Sequence, residues 1–295
     1  MRMGTYANNT GKKFRGGMNV KKVFLWFITL ALLFALGACS TRDKDEGKEE
    51  AKKEEEKPKE TTLYENIKEK GILNVGTEGT YAPFTFHNEQ DELTGYDVEV
   101  IKEVAKRMEL KVEFMETQWD SMFAGLNSGR FHLIANQVGI NEDRKENYDF
   151  SEPYTYSSAV LVVPKDSKGI TSFEDLLGKK AAQSLTSNYG KIAEKNGAEL
   201  VGVEGLAQAI QLMKQGRADA TVNDKLAVLD YIKQQGDEEI TIIAESDDVS
   251  EMAFTFNKDN QELVDEVSKH LKEMKEDGTL KEISEEWFGE DVSTK

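Results

Sequence analysis

An α/β fold in two lobes is predicted by the way in which apolar runs and helical periods alternate along residues 61–295. Short strand-like runs alternate with segments whose apolar residues recur every three or four positions. Such alternation is typical of mainly parallel sheets flanked by helices. These 235 residues are long enough for one large or two medium domains with proper cores. Extended segments at 157–163 and 250–256 are the candidate crossings between the lobes.

The individual elements follow from local patterns. Strands are predicted at residues 72–75, 111–114, 131–134, 159–163, 218–222 and 241–244. Helices are predicted at 98–108, around Ile192, at 206–213 before Gly216, at 263–274 before Asp277-Gly278, and at 283–287. Thr171 and Glu174 have the form of a capping box, and Gly178 follows the short helix that they begin.

The first 38 residues are predicted to be a signal peptide. Lys21-Lys22 precedes the apolar run 23–35, and small residues follow it, which is the order of a secretory signal. A transmembrane helix is the alternative, but only 17 residues separate Lys22 from Ser40, at the lower limit for a span. Met18 is interpreted as the true start, because it gives a compact signal of ordinary form.

Cys39 is the only cysteine of the chain, and it follows Leu36-Gly37-Ala38. This segment resembles a bacterial lipobox, which implies that Cys39 becomes a lipidated N-terminus with the two or more acyl chains that stable anchoring needs. A structural cysteine is the alternative, but the chain has no second cysteine for a disulfide. Residues 40–60 contain seven Lys/Arg and nine Asp/Glu without aromatic residues, which predicts a flexible tether rather than an isolated charged helix.

The charge and the histidines argue against several classes of function. Without residues 1–38 the chain has 32 basic and 55 acidic residues, a net charge of −23, which disfavours nucleic acid and anionic lipid surfaces as partners. Solubility outside the cell accounts for this acidity. The three histidines form no metal-ligand or nucleophile–base pattern, so no enzyme, metal or cofactor is predicted.

One segment carries a family resemblance. It is similar to the signature of the bacterial extracellular solute-binding proteins, family 3, which serve polar amino-acid ABC importers, and it comprises Gly95-Tyr96-Asp97-Val98-Glu99-Val100, then Val104-Ala105 and Met108. The resemblance covers residues 62–290. It implies a periplasmic-binding-protein-like fold of type II with a two-strand hinge, lobe 1 at 61–156 plus 251–295 and lobe 2 at 157–250. We interpret the signature segment itself as an amphipathic helix outside the site.

A free amino acid bound away from water needs a cation or N–H donors for its carboxylate and an acceptor for its ammonium. The resemblance implies that Arg144, shortly after Gly139, clamps the carboxylate, although by pattern alone a surface ion pair is the alternative. It implies that the turn with Thr186 and Ser187 holds the same carboxylate from lobe 2 through hydroxyl and N–H groups, with helix capping as the alternative. Gly139 is predicted to belong to this site.

The remaining family positions concern the ammonium and the apolar part of the ligand. Asp224 is implied as the acceptor for the ammonium, whereas by pattern alone it is a helix N-cap. Tyr81 and Trp119 match aromatic positions that sandwich the ligand, with a place in the core as the alternative. Phe84 and Phe123 are predicted to be core residues.

Four segments, 77–84, 116–123, 135–139 and 183–189, resemble those of L-cystine-binding lipoproteins of Gram-positive bacteria. Many family members have Asp where Glu78 stands, and small residues in place of Asn136 and Gln137. Cystine has two amino-acid ends, so its site needs a second polar set. We expect Glu78, Asn136 and Gln137 to receive the far end, because they depart from the commoner pattern beside the lobe 1 site.

The resemblance implies a monomeric, lipid-anchored, extracytoplasmic protein that passes L-cystine to an ABC permease and its ATPase. Other polar amino acids, namely glutamine, arginine and histidine, are the alternative ligands. A sensor that uses the same lobes without a transporter and a dehydratase-like enzyme on the same fold are the less favoured alternatives.

Overall fold

The computed structural model describes residues 61–295, which form one compact unit. The predicted signal peptide, the start at Met18, Cys39 and the charged tether lie outside the described residues. In the described part of the chain, no helix combines the length and the apolar character that crossing a membrane requires.

Helices and strands alternate through most of the described chain, as predicted. The helices are α1 (Leu63–Lys70), α2 (Tyr96–Arg107), α3 (Trp119–Asn127), α4 (Glu142–Lys145), α5 (Asn188–Lys195), α6 (Leu206–Lys214), α7 (Lys225–Gln235), α8 (Gln261–Glu276) and α9 (Thr279–Phe288). The strands are β1 (Ile72–Thr77), β2 (Thr80–Tyr81), β3 (Thr85–His87), β4 (Leu93–Thr94), β5 (Lys111–Glu116), β6 (Leu133–Ile134), β7 (Tyr148–Phe150), β8 (Thr155–Pro164), β9 (Lys180–Gln183), β10 (Glu199–Gly202), β11 (Thr221–Asp224), β12 (Ile240–Met252) and β13 (Thr255–Asn257). A short 3₁₀ helix spans Phe173–Leu176.

Lobe 1 contains a mainly parallel sheet, and lobe 2 combines parallel and antiparallel pairs of strands. In lobe 1 the strand order is β5-β1-β6-β13-β7, and β13 alone runs against its neighbours. In lobe 2, β9 and β10 pair in parallel, and β11 and β12 flank the antiparallel β8. A parallel bridge between Ala181 and Ala220 joins these two groups of strands. The α/β prediction is therefore confirmed.

Two long strands connect the lobes. β8 and β12 pair along most of their length, from Thr155 opposite Met252 to Pro164 opposite Ile240. The register of this pair shifts between Glu245 and Val249, which is a local irregularity in the ribbon. β8 and β12 form the two-strand hinge; β8 includes all of the suggested crossing segment 157–163, whereas β12 includes only residues 250–252 of the segment 250–256.

Apolar faces at helical spacing hold these elements together. Helix α8 buries Leu263, Val267, Leu271 and Met274, the residues whose spacing predicted it. Helix α2 buries Ile101, Val104 and Ala105 in the same cluster of core residues. Burial of this apolar surface is the main force that stabilises both helices against the sheets.

Three local predictions need correction. The strand predicted at 131–134 shrinks to Leu133–Ile134, because the Asn74 N–H of β1 donates to the His132 ring at 3.1 Å instead of to a backbone carbonyl of this segment. The strand predicted at 218–222 begins only at Thr221. The capping pair predicted at Thr171 and Glu174 lies one residue later.

The N-cap of the 3₁₀ helix is Ser172. The Asp175 carboxylate accepts hydrogen bonds from the backbone N–H groups of Thr171 (2.8 Å) and Ser172 (3.1 Å). The first turn therefore uses the carboxylate of Asp175 in place of that of Glu174.

Candidate functional site

The cleft between the lobes is lined by loops that follow the carboxyl ends of parallel strands, where open α/β sheets present ligand sites. In lobe 1, Glu78 follows β1, Trp119 begins α3 after β5, and Asn136 follows β6. In lobe 2, Tyr189 lies on α5 after β9, and Asn223 lies on β11. Distant parts of the chain therefore meet in one place.

The cleft encloses about 500 Å³ of empty space, counting open solvent at its mouth. Its lining residues are Glu78, Tyr81, Trp119, Asn136, Gln137, Arg144, Gln183, Ser184, Ser187, Asn188, Tyr189, Gly205, Leu206 and Asn223.

Arg144 places a cation in this cleft. Its side chain is only 9% exposed, and its guanidinium lies 5.4 Å from the centroid of the Trp119 ring and 5.2 Å from that of Phe123. One of its N–H groups donates to the Gly139 carbonyl at 2.8 Å. Burial lowers the pKa of Arg144 to about 10, which still leaves it charged at neutral pH.

No acidic side chain of residues 61–295 forms an ion pair with Arg144. Its acidic neighbours bind lysines instead, with Glu142 2.9 Å from Lys145 and Asp143 2.6 Å from Lys191. The alternative of a surface ion pair is therefore not what the structure has. A buried guanidinium without a counter-ion is a strong site for an anion, because pairing would offset the cost of burying the charge.

Glu78 provides an acidic side chain in the same cleft as the Arg144 cation. Asn136 donates to Glu78 Oε2 at 3.0 Å, and the Glu78 backbone N–H donates to Asn136 Oδ1 at 2.7 Å. Burial raises the pKa of Glu78 to about 7, although the hydrogen bonds from Asn136 and from the Trp119 backbone act in the opposite direction. A cationic group beside this carboxyl would favour its ionised form.

Asp224 lies behind the cleft and is not among its lining residues. Its carboxylate is fully buried and accepts from the Ser157 hydroxyl (3.0 Å), the Tyr189 hydroxyl (3.0 Å) and the Leu226 backbone N–H (2.8 Å). Asp224 is also the N-cap of α7, as the pattern alone indicated. The Tyr189 hydroxyl separates Asp224 from the cleft, and burial raises the pKa of this carboxyl.

The turn before α5 also differs from the expectation. The Ser187 hydroxyl caps the helix by accepting from the Gly190 N–H at 2.9 Å, and the Ser187 N–H donates to the Ser184 carbonyl. Thr186 is exposed and donates through its hydroxyl to Asp120 at 2.7 Å. The N–H groups of Thr186 and Ser187 are therefore engaged within the protein, and of these two residues only Ser187 lines the cleft.

Gly139 supports the site from behind. Its carbonyl accepts from Arg144, and a Cβ at this position would lie 2.4 Å from the side-chain amide of Asn188. The residue therefore permits a close approach of the two lobes, although it does not line the cleft.

The two aromatic candidates both face the cleft. Tyr81 donates through its hydroxyl to Asn223 at 2.8 Å, which joins lobe 1 to lobe 2. Trp119 packs edge-on against Phe123, and its indole N–H is buried without a hydrogen-bond partner among the described residues. Phe84 is fully buried and Phe123 is partly buried, as predicted for core residues.

The cleft is closed in this structure. Besides the contact from Tyr81, Asp120 binds Thr186, Asp143 binds Lys191, and Asn141 donates to Asn188 at 3.3 Å. Each of these pairs joins the two lobes. The closed arrangement of the two lobes is therefore defined by direct contacts between their side chains.

Sequence reasoning missed several lining residues from lobe 2, and Tyr189, Asn188 and Asn223 are the clearest. Tyr189 and Asn188 lie within the segment 183–189 that resembles cystine-binding lipoproteins, so an aromatic hydroxyl and an amide beside the predicted turn were the available signal. Asn223 directly precedes the predicted acceptor Asp224. Among residues 61–295, no three His, Cys, Asp or Glu side chains are arranged to hold a metal ion.

The family model described as bacterial extracellular solute-binding proteins, family 3, matches residues 73–290. The chain belongs to this family. It is accordingly a solute-binding protein that acts outside the cytoplasm, with the type II periplasmic-binding-protein fold that its sequence motif implied.

One relative is the L-cystine-binding protein TcyA of Bacillus subtilis, which is 54% identical over 275 residues, covering 93% of this chain and 100% of that protein. A solved structure of the L-cystine solute receptor of Neisseria gonorrhoeae, in an unliganded open conformation, is 52% identical and covers 79% of this chain and 99% of that one, with a TM-score of 0.54. An ancestral arginine-binding protein bound to arginine is 37% identical and covers 74% and 99%, with a TM-score of 0.70.

The more similar sequence thus gives the poorer superposition. The two lobes of a binding protein change their relative orientation between open and closed states. The direct contacts between the lobes of this chain explain why it superposes better on the ligand-bound protein than on the open receptor.

Proposed function

We propose that this chain is the substrate-binding lipoprotein of an amino-acid ABC importer, which captures L-cystine between its lobes and delivers it to a membrane permease and its ATPase. The observation that carries the proposal is the buried, unpaired guanidinium of Arg144 in an interlobe cleft. The names of the two most similar relatives described above support cystine as the ligand.

Arg144 binds the α-carboxylate at one end of the ligand. Its planar fork can form two parallel hydrogen bonds with a carboxylate, a geometry that a lysine cannot match. The Trp119 and Phe123 rings hold the guanidinium in place at 5.4 and 5.2 Å. The ligand carboxylate provides the counter-ion that the protein does not.

The ammonium at the same end is bound by Asp224 together with Tyr189. Because the Tyr189 hydroxyl already donates to Asp224 Oδ2, the ligand ammonium either displaces that hydroxyl or binds to its oxygen. In both arrangements the buried carboxylate of Asp224 stabilises the cation.

The far end of the ligand is received by Glu78, Asn136 and Gln137. The carboxyl of Glu78 accepts the second ammonium, and Asn136 holds that carboxyl through a hydrogen bond of 3.0 Å. The Gln137 amide oxygen and the Trp119 indole N–H, both without partners among residues 61–295, are an acceptor and a donor available at this end. A ligand with one amino-acid end leaves this set unused.

Capture follows from differential affinity. A ligand shifts an open–closed equilibrium only by as much as it binds one state more tightly. Arg144 belongs to lobe 1 and Asp224 to lobe 2, so a zwitterion contacts both only when the cleft is closed. The permease then recognises the closed shape.

The membrane anchor is the second part of the proposal. Residues 1–38 are the signal peptide with its start at Met18, Cys39 carries the lipid, and 39–60 form a flexible tether. Lobe 1 comprises 61–156 and 251–295, and lobe 2 comprises 157–250. The protein acts as a monomer without a cofactor or nucleic acid, and intact mass of the membrane-extracted protein tests the lipid on Cys39.

Calorimetry tests the choice of ligand. Pro58–Lys295, which contain every described core cluster, are titrated with L-cystine, cysteine, glutamine, arginine and histidine. We expect L-cystine to bind most tightly, with micromolar affinity corresponding to about 8 kcal/mol. Tighter binding of glutamine or arginine overturns the cystine proposal, and binding of no amino acid overturns the transport proposal.

Catalysis is the rival on the same fold. The proposal predicts that incubation of the protein with amino acids leaves them chemically unchanged, because no described residue set forms a nucleophile–base pair in the cleft. A product detected by mass spectrometry overturns that part.

A further inference from the structure

Asp97 is a buried carboxylate in the family signature segment, outside the list of cleft-lining residues. It lies in the first turn of α2 and is fully buried. No Lys or Arg of residues 61–295 forms an ion pair with it. A fully buried carboxylate is costly, and burial raises the pKa of Asp97 to about 7, so its position requires an explanation.

Helix capping does not supply that explanation. The N-cap of α2 is Gly95, and no side-chain cap is formed at this helix. The carboxylate accepts three hydrogen bonds from outside α2: the Gln137 backbone N–H at 2.7 Å, the Gln137 side-chain amide at 2.6 Å, and the Tyr154 hydroxyl at 2.9 Å. Asp97 therefore joins two other parts of lobe 1.

One of these parts lines the cleft. Gln137 has a φ of +49°, a left-handed conformation that is uncommon for a residue other than glycine. Both of its hydrogen bonds to Asp97 hold it in this conformation while its side chain lines the cleft. The shape of the cleft at this point thus depends on Asp97.

The other part is the hinge. Tyr154 directly precedes β8, and its carbonyl accepts from the Tyr96 hydroxyl at 2.7 Å. Gln137 also donates to the hydroxyl of Thr155, the first residue of β8, at 3.1 Å. The Tyr154 ring stacks on Phe254, two residues beyond the end of β12, with ring centroids 4.4 Å apart.

The segment around Gln137 also contacts the second hinge strand directly. The Val138 carbonyl accepts from the Ala253 N–H at 3.1 Å, and the Ile140 N–H donates to the Glu251 carbonyl at 2.8 Å. Residues 137–140 are therefore hydrogen-bonded to the lobe 1 ends of both hinge strands, and Asp97 is the buried centre of the connection to β8.

We propose that Asp97 is a positioning residue that couples the ligand cleft to the hinge, by fixing Gln137 and Tyr154 relative to one another. The proposal rests on capture of a ligand between the lobes but not on which amino acid is bound. When a ligand contacts Gln137, the displacement passes through Asp97 to the start of β8. This gives the acidic position of the signature a part in closure.

The test uses Pro58–Lys295 and three variants. Asp97→Ala removes all three hydrogen bonds, and Tyr154→Phe removes only the bond to the hinge. Asp97→Asn retains one oxygen for Tyr154 and the Gln137 N–H, and its amide can donate to the Gln137 oxygen, which has no partner. His132→Ala is the matched control, because His132 is a partly buried polar residue of lobe 1 whose hydrogen bonds go to Asn74, outside the cleft-lining set and the hinge strands.

Calorimetry measures cystine affinity, and small-angle scattering measures the radius of gyration with and without saturating cystine. For Asp97→Ala we expect about tenfold weaker binding and incomplete compaction at saturation, for Tyr154→Phe about threefold weaker binding, and for Asp97→Asn partial recovery. His132→Ala should lower the melting temperature but keep wild-type affinity and compaction.

Wild-type affinity and compaction in Asp97→Ala overturn the coupling. An equal loss in His132→Ala does so too, because it assigns the effect to general stability. If Asp97→Ala does not fold, Tyr154→Phe decides, and wild-type behaviour in that variant overturns the proposal. A wild-type protein that binds no amino acid refutes the proposed function instead.

Discussion

Replacing Arg144 by methionine should strongly weaken ligand binding without destabilising the ligand-free protein. The guanidinium is 9% exposed and has no carboxylate partner among residues 61–295, and its single hydrogen bond within the protein goes to the Gly139 carbonyl. Methionine fills a similar volume between the rings of Trp119 and Phe123 without a charge. The two effects therefore have different causes and can be measured separately.

The loss of affinity follows from the bonds that a ligand carboxylate would make. Each hydrogen bond to a charged group contributes about 1.5–3 kcal/mol, and truncating one partner of a buried charged pair costs about 2–5 kcal/mol. For Arg144→Met we expect a loss of about 3–4 kcal/mol, which corresponds to about 10²- to 10³-fold weaker binding. Arg144→Lys keeps the charge but loses the paired geometry, so its affinity should be intermediate.

The stability of ligand-free Arg144→Met should not fall, although its affinity for the ligand does. Removing an unpaired buried charge is favourable, while the Gly139 carbonyl loses its donor at a cost of about 1 kcal/mol. The melting temperature of empty Arg144→Met should therefore equal or exceed that of the wild type in scanning fluorimetry. Arg130→Met, at an exposed arginine of the same lobe, is the control and should change neither quantity.

Two results would refute this reasoning. Binding of cystine by Arg144→Met within about threefold of wild type removes the arginine from the site. A clear drop in the melting temperature of the empty variant shows that Arg144 stabilises the fold, and the argument from an unpaired charge then fails.

Three further outcomes are expected. Glu78→Gln should weaken cystine binding more than cysteine binding. The pKa of Glu78 is about 7 in the fold and about 4.5 in the unfolded chain, so the unliganded wild type should lose stability as the pH rises between these values. Melting curves of Glu78→Gln should show less of this loss. Tyr81→Phe removes the 2.8 Å bond to Asn223 and should weaken cystine binding about two- to tenfold, measured by calorimetry, with faster ligand dissociation in stopped-flow experiments. Lys191→Ala breaks a largely exposed pair with Asp143, so calorimetry should show a loss of at most about threefold, which high salt reproduces in the wild type.

The sequence predicts the lobe 1 half of the cleft better than the lobe 2 half. Glu78, Trp119 and Asn136 each follow a strand of one parallel sheet, so strand order and loop position are enough to bring them together. Tyr81 and Asn223 are 142 positions apart, and their contact exists only because the lobes close. No local pattern encodes that approach.

Asp97 shows a different limit. Its position in a helical signature was predicted, and an amphipathic helix accounts for the apolar residues around it. Hydrogen bonds from Gln137 and Tyr154, 40 and 57 positions away, account for the acid. A local pattern cannot distinguish a carboxylate that caps its own helix from one that accepts bonds from elsewhere, because both favour the first helical turn.

The charges in the closed cleft explain why the ligand should be a zwitterion. Arg144 is a cation without a counter-ion, while burial raises the pKa of the carboxyl groups of Glu78 and Asp224. A ligand carboxylate alone offsets the cost of burying the Arg144 cation. A ligand ammonium alone offsets the cost of burying the carboxyl groups of Glu78 and Asp224 in their ionised form. Because both groups act in one low-dielectric cavity, each strengthens the binding of the other across the lobes. Blocking both the carboxylates and the ammoniums of cystine should therefore cost less than the sum of blocking each, and additive losses would mean that the two groups bind independently.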